Sequence, residues 1–223
     1  TLYATLKQLA TPEINLCTLE DPIEMIEPAF NQMQVQPNID LNFANGVRAL
    51  MRQDPDIIML GEIRDLETAQ MAIQAALTGH LVLSTLHTND APSAISRLQE
   101  LGVAAYLIKA TLLGVMAQRL VRTLCPDCRA EQPLDPGDWQ DFAPAWSDSP
   151  PTCTWRATGC AQCRDTGYSG RVGIYEIMVM SEKLKSLIGP DTDLNAMRRQ
   201  ACAQGMISLR LAAAQKVAAG TTS

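Results

Sequence analysis

Gln53-Asp54-Pro55-Asp56-Ile57-Ile58-Met59-Leu60-Gly61-Glu62-Ile63-Arg64-Asp65 is the stretch that decides the fold. Its centre, residues 56–61, is a continuous apolar run, the pattern of a parallel strand buried on both faces. An acid follows the run and its glycine. In an open parallel sheet, ligands bind beyond the carboxyl ends of the strands. Glu62 is therefore placed to hold Mg²⁺ through water or to orient a nucleophilic water. A strand that merely ends in solvent would carry the same charge, so this motif alone does not fix a function.

Working outward, residues 14–20 (INLCTLE) and 81–86 (LVLSTL) read as two further strands, with helices between them. Asp65 can cap a helix whose apolar face carries Leu66, Ala69, Ile73 and Ala76, and Gly79 stops it. Asn89 or Asp90 opens the next, with Ile95, Leu98 and Leu101 on one side and Gly102 as its stop. Residues 103–122 continue as helix. Strands alternating with helices of this length imply right-handed crossovers and a parallel sheet covered on both faces, an α/β fold.

Each strand ends in polar residues. Glu20 and Glu24 follow the first (LEDPIE), Glu62 the second and His87 the third (HLVLSTLHTND). Asp-Pro also makes a plain turn, and a lone histidine is commonly structural. Three polar tips on one edge point to a site in a way that no one of them does.

After Cys125 the character changes. Residues 129–159 hold five prolines and all three tryptophans with no clear period, a loop-rich insert. Residues 170–180 read as a returning strand, and residues 181–218 as short helices broken at Gly189-Pro190. Cys125-x2-Cys128 and Cys160-x2-Cys163 supply four thiolates as two knuckles, which suits a closed, structural Zn²⁺ site. Four unliganded thiols in a reducing compartment are the alternative. The loop of 31 residues between the pairs is long for a zinc ribbon, but closure costs only ~0.6 kcal/mol more per doubling of length. Cys153 is a candidate substitute ligand, whereas Cys17 and Cys202 read as core residues.

A chain of 223 residues can bury one main core with an appendage, and 47% apolar with 19% charged residues is globular composition. A net charge of −6 argues against nucleic acid as the main partner. The longest apolar stretch, 103–117, is interrupted by Lys109 and too short to span a bilayer.

The segments LEDPIE, RQDPDIIMLGEIRDLETA and TGHLVLSTLHTND resemble the aspartate, Walker B and histidine boxes of the secretion traffic ATPases. LLGVMAQRLVRTLCPDC resembles the segment that follows them, so the match runs over nearly the whole chain. It is strongest to the type II secretion assembly ATPases, with the type IV pilus assembly ATPases close behind; pilus retraction motors typically lack the four-cysteine module. The resemblance implies a RecA-like P-loop ATPase core at residues 1–123, a four-cysteine zinc module at 124–170, and a strand and helical subdomain at 171–223. It implies a cytoplasmic homo-hexamer, peripheral on the bacterial inner membrane and docked on the secretion platform through an N-terminal region. Such a motor uses ATP and Mg²⁺ to drive pseudopilus assembly and protein export.

Carried over by motif, Glu62 resembles the Walker B acid that positions Mg²⁺ and water. Glu20 resembles the water-activating acid, with Glu24 as a second candidate. His87 resembles the contact to the γ-phosphate, and Arg64 the residue that holds this edge together. Arg48 and Arg52 are charge-neutralising candidates near a subunit boundary, with a solvated helix face as the plain alternative. One departure matters. The family's phosphate loop, GxxxxGK[ST], should immediately precede the residues that align with Thr1-Leu2-Tyr3-Ala4, and the 223 residues do not contain it. The chain is therefore expected to be the C-terminal part of such an ATPase and a poor ATPase alone. The helix at residues 1–9 would be the remainder of the one that the loop opens. A non-catalytic, zinc-stabilised interaction fragment is the alternative from another class.

Overall fold

The buried run does become a strand. In the computed structural model, which describes residues 1–147 and 149–223, β3 (Ile57–Leu60) is buried at all four positions. It lies between β1 (Leu16–Glu20), also buried throughout, and β4 (Leu81–Ser84), and β2 (Asn31–Gln34) pairs with the far side of β1. All three pairings are parallel, giving the order β2-β1-β3-β4. β4 is an end strand and part-exposed, so its apolar run does not signify burial on both faces as that of β3 does.

Pleating sorts the strand residues between two cores. Cys17, Leu19, Ile58 and Leu60 pack with Val47 and Leu50 of α2 (Phe43–Leu50) and with Ala72 and Ala75 of α3 (Leu66–Leu77). On the opposite face, Leu16, Ile57 and Met59 pack with Leu6 of α1 (Leu2–Leu9) and with Phe30. Helices thus cover both faces, as the α/β reading requires. α2 approaches β1 closely: a Cβ on Gly46 would stand 2.4 Å from Leu19 Cδ2.

Asp65 caps α3, accepting the Thr68 N–H at 2.8 Å, and Gly79 follows the helix at φ +106°. The buried face of α3 is Thr68, Ala69, Ala72 and Ala75, rotated from the expected one, and Leu66 is exposed. The next helix, α4 (Ser93–Glu100), starts beyond Asn89 and Asp90, so neither opens it. Its Ile95 and Leu98 are buried, and Gly102 at φ +98° ends the turn after it. Helix does not continue to residue 122. α5 (Ala105–Thr111) stops, and residues 114–124 form β5 (Gly114–Leu124), antiparallel to β8 (Tyr168–Val179). The insert is not structureless either. β6 (Ala130–Pro133) and β7 (Cys153–Arg156) pair antiparallel, and α6 (Pro136–Phe142) lies between them in sequence. The chain ends with α7 (Glu182–Ser186), α8 (Leu194–Ala203) and α9 (Leu209–Ala218).

These elements form two compact units. The first comprises Thr1–Thr88, Ser93–Leu113 and Lys185–Thr192; the second comprises Asn89–Pro92, Gly114–Leu184 and Asp193–Ser223. The boundaries expected at 123/124 and 170/171 fall inside β5 and β8. In the second unit α9 packs on the sheet face that carries Ile174, Glu176 and Met178, all buried. The other face shows Met116, Leu120, Tyr175, Ile177 and Val179 to solvent. No helix among the described residues is long and apolar enough to cross a membrane.

Candidate functional site

Parallel strands bring their carboxyl ends to one edge. Glu20 is the last residue of β1, Glu62 lies two past β3 and His87 three past β4. Glu20, Asp21, Glu24, Gly61 and Glu62 line one cleft of about 210 Å³ in the first unit.

Glu62 is held from both sides. Arg64 Nη2 stands 2.5 Å from its Oε1, and His87 Nε2 stands 3.3 Å from its Oε2. Arg64 and His87 are largely exposed, whereas the Glu62 side chain is 13% exposed. The Glu62 hydrogen bond and charge hold the Arg64 guanidinium still more firmly protonated. Solvent screens pairs with exposed cations of this kind, so the cluster orients Glu62 more than it stabilises the fold. The edge is laced from strand to strand: Thr85 Oγ1 donates to the Gly61 carbonyl at 2.6 Å, and the Ile63 N–H to the Thr85 carbonyl at 3.0 Å.

Glu20 is 4% exposed and bound by three side chains. Pleating puts Thr18 and Glu20 on the same face of β1, where Thr18 Oγ1 donates to Glu20 Oε1 at 2.6 Å. Gln32 Nε2, from β2, donates to the same oxygen at 3.3 Å. Tyr3, from α1, donates its hydroxyl to Oε2 at 2.6 Å. Burial, reinforced by the Glu20 hydrogen bond and charge, pushes the Tyr3 phenol up to about 12. The sequence reading missed Tyr3 and Gln32. Thr18 carried a signal: it stands two before Glu20 in the same strand.

The remaining candidates are placed less centrally. Arg48 donates to Asn45 Oδ1 at 2.6 Å and pairs with Glu67 at 3.0 Å on an exposed face of α2, and Arg52 is exposed beyond the helix. Glu24 is exposed at the cleft.

In the second unit the four paired cysteines converge. The sulfurs of Cys125, Cys128, Cys160 and Cys163 all lie within 4.8 Å of one another. Three of the separations are 3.9 Å (Cys125–Cys160), 3.8 Å (Cys128–Cys163) and 3.7 Å (Cys160–Cys163). Four sulfurs about 2.3 Å from a tetrahedral zinc stand roughly 3.8 Å apart, so the donor set fits that ion. The backbone prepares it. Cys160 and Gly167 each point an N–H at Cys163 Sγ from 3.2 Å. Burial opposes the Cys163 thiolate, but those N–H groups and the adjoining thiols outweigh it and bring its pKa down to about 6. For Cys125 a hydrogen bond from the Asp127 backbone favours the thiolate, yet burial and the thiols of Cys128 and Cys160 prevail and push it up to about 11. Gly167 closes the second knuckle at φ +73°, where a Cβ would meet Ala157 Cβ at 2.4 Å. Cys153 sits in β7, outside the cluster. Cys17 is buried in the first unit's core, and Cys202, expected in a core, is exposed on α8.

Comparison with known proteins agrees with this geometry. The family model described as type II/IV secretion system protein matches residues 1–223. The type IV pilus assembly ATPase TfpB of Acinetobacter baylyi is 58% identical over the whole chain, which covers 38% of that protein. The type II secretion system ATPase E of Vibrio cholerae is 50% identical over 89% of the chain and 39% of its own length. The chain thus spans about two fifths of the length of these relatives. Among solved structures, the Legionella pneumophila ATPase DotB matches all of the chain and 53% of its own, with a TM-score of 0.70 at 25% identity. The pilus retraction motor PilT with bound ADP matches 95% of the chain and 55% of its own, with a TM-score of 0.61 at 25% identity. A parallel sheet with acids at its carboxyl edge, four converging cysteines and a match along the whole length lead to one conclusion: the chain belongs to the type II/IV secretion system protein family.

Proposed function

We propose that the chain is the C-terminal part of an ATP-hydrolysing motor subunit that drives pseudopilus assembly and protein export in type II secretion. The observation that carries this reading is that Glu20 and Glu62 line one cleft at the carboxyl edge of a parallel sheet. The relatives named type II secretion system ATPase E and type II secretion system protein E support it.

In this reading Glu20 accepts the proton of the attacking water, and Glu62 aligns that water and the nucleotide. Arg64 keeps Glu62 oriented, and His87, on the other Glu62 oxygen, is the group that meets the γ-phosphate. Mg²⁺ bound with ATP supplies charge neutralisation of the phosphates, and Glu62, Glu20 and Glu24 are the residues that would hold it through water. Arg48 and Arg52 serve ATP bound at a neighbouring subunit of a homo-hexamer. Cys125, Cys128, Cys160 and Cys163 hold a structural Zn²⁺. The motor works in the cytoplasm, on the inner-membrane secretion platform. The 223 residues contain no GxxxxGK[ST] loop, so by themselves they bind Mg-ATP poorly.

The test is genetic. Deleting the gene in its host should abolish export of secreted enzymes, with rescue by the wild type and not by Glu62→Gln. Loss of surface pili with export intact would instead establish the second reading, a type IV pilus assembly ATPase, which the 58% identity to the pilus ATPase supports.

A further inference from the structure

Glu20 is the most thoroughly bonded carboxylate of the site, and the residue on its open side is Tyr3. A carboxylate offers about four acceptor positions. Thr18 takes one on Oε1 and Tyr3 one on Oε2, each at 2.6 Å, while Gln32 Nε2, whose two protons face the Tyr3 oxygen and the Met25 carbonyl at 2.9 Å each, only approaches Oε1, at 3.3 Å. A second acceptor position on Oε2 is left, and Glu20 and Tyr3 both line the cleft. The direction of the Tyr3 hydroxyl is set from behind. Gln32 Nε2 donates to the Tyr3 oxygen at 2.9 Å, which fills its acceptor side and leaves its proton to be given away. Two acceptors compete for that proton, the Met25 carbonyl at 3.0 Å and Glu20 Oε2 at 2.6 Å. The shorter, charge-assisted bond prevails. The ring is fixed as well, tilted at 46° against Phe30 with centroids 5.7 Å apart.

Taking Glu20 as the water-activating acid of the proposed reaction, we propose that Tyr3 is a positioning residue that fixes the Glu20 carboxylate so that its remaining acceptor position faces the attacking water. Thr18 holds Oε1 alone; without Tyr3 the carboxylate can turn about its Cγ–Cδ bond and Oε2 loses its fixed direction. The tyrosine does not exchange protons with the reaction. With its ionisation pushed up to about 12 it stays a neutral donor at every pH at which such a motor works.

The substitution that isolates this role is Tyr3→Phe, which keeps the ring on Phe30 and removes only the hydroxyl. In the full-length motor that carries this chain, Tyr3→Phe should lower kcat about 10- to 100-fold with KM for ATP unchanged, the signature of misorientation. Combined with Glu20→Gln it should cost nothing further, because the two residues act as one unit. A second readout does not depend on turnover. In this chain the Tyr3 hydroxyl proton should give a slowly exchanging downfield NMR resonance, absent from Tyr3→Phe and shifted in Glu20→Gln. Unchanged kcat in Tyr3→Phe, with Glu20→Gln inactive, would overturn the positioning role and leave Glu20 its place. A fall in melting temperature with KM and kcat changed together would also overturn it, by making Tyr3 a packing residue. Full turnover in Glu20→Gln would overturn the reading of Glu20 and this proposal together.

Discussion

The carboxylate of Glu176 is buried and accepts the backbone N–H of Ala91 at 2.8 Å on one oxygen and that of Leu209 at 3.0 Å on the other. Leu209 opens α9, so one side chain of β8 secures that helix and the segment Asn89–Pro92 within the second unit. Glu176→Gln keeps the shape but turns an amide NH₂ towards one of the two N–H donors. The expected loss is about 1.5–3 kcal/mol, the range for a hydrogen bond to a charged group. Urea unfolding of the two proteins would show it, and an unchanged midpoint would mean that the charge of Glu176 adds nothing to the two bonds.

The cysteine cluster predicts a metal content and a proton count. Purified protein should hold one zinc per chain by elemental analysis, and each of the four cysteine-to-serine changes should remove it. Chelation should lower the melting temperature by about 2–4 °C for every kcal/mol of lost metal linkage. Zinc binds thiolates, and Cys125, pushed up to about 11, is protonated at pH 8, whereas Cys163, at about 6, is not. Calorimetric zinc titration at pH 8 in buffers of different ionisation enthalpy should therefore show net proton release from the cluster. The folded pKa of Cys163 lies below its ordinary value of 9.0, so its contribution is complete above that value and is lost as pH falls through about 6.

On the proposed function, Glu62→Gln and Glu20→Gln in the motor that carries this chain should each lower ATP turnover by about 10²–10⁴-fold, the usual worth of a positioned acid or base. The two cations paired with Glu62, Arg64 and His87, are exposed, so its substitution should leave the melting temperature nearly unchanged. Normal ATP turnover in both variants would remove the cleft from the mechanism. The 223-residue chain alone should give no heat with near-millimolar Mg-ATP, and clear binding would place a phosphate site elsewhere in it.

Gly46→Ala tests the packing beneath the site. Its new Cβ would lie 2.4 Å and 2.8 Å from the two methyls of Leu19, a side chain with no exposed surface one residue before Glu20. Overpacking of this kind costs about 1–3 kcal/mol. Chemical denaturation would measure it, and a neutral result would mean that α2 can shift outward.

What the sequence revealed here was what local chemistry determines. Four apolar residues at 57–60, fenced by acids and a proline, read as a buried strand, Asp65 capped where a cap was needed, and four cysteines in two pairs announced their own geometry. β5 was misread as helix for a physical reason. Met116 and Leu120 are exposed apolar residues, so the in-out alternation that marks a strand is absent, and the partner β8 is far away in sequence. Tyr3 and Gln32 were illegible for the same reason, since their meaning lies in meeting Glu20 across three separate elements. The face of α3 was misjudged because four alanines allow more than one rotation of the helix.

Leu124 and Tyr168 are direct partners across β5 and β8, so the cysteine-bearing insert leaves and rejoins the sheet at neighbouring positions. Topologically it is an overgrown hairpin tip, a cassette that a gene could lengthen, shorten or discard without re-registering either strand. The cassette is nevertheless not free to leave. Its Trp139 and Ala143 cover Ala214 and Val217 of α9, and its Arg129 donates to the Gly220 carbonyl at 2.7 Å. A lineage that dropped the insert would inherit a naked helix and would have to recolour α9 from apolar to polar in the same stretch of its history.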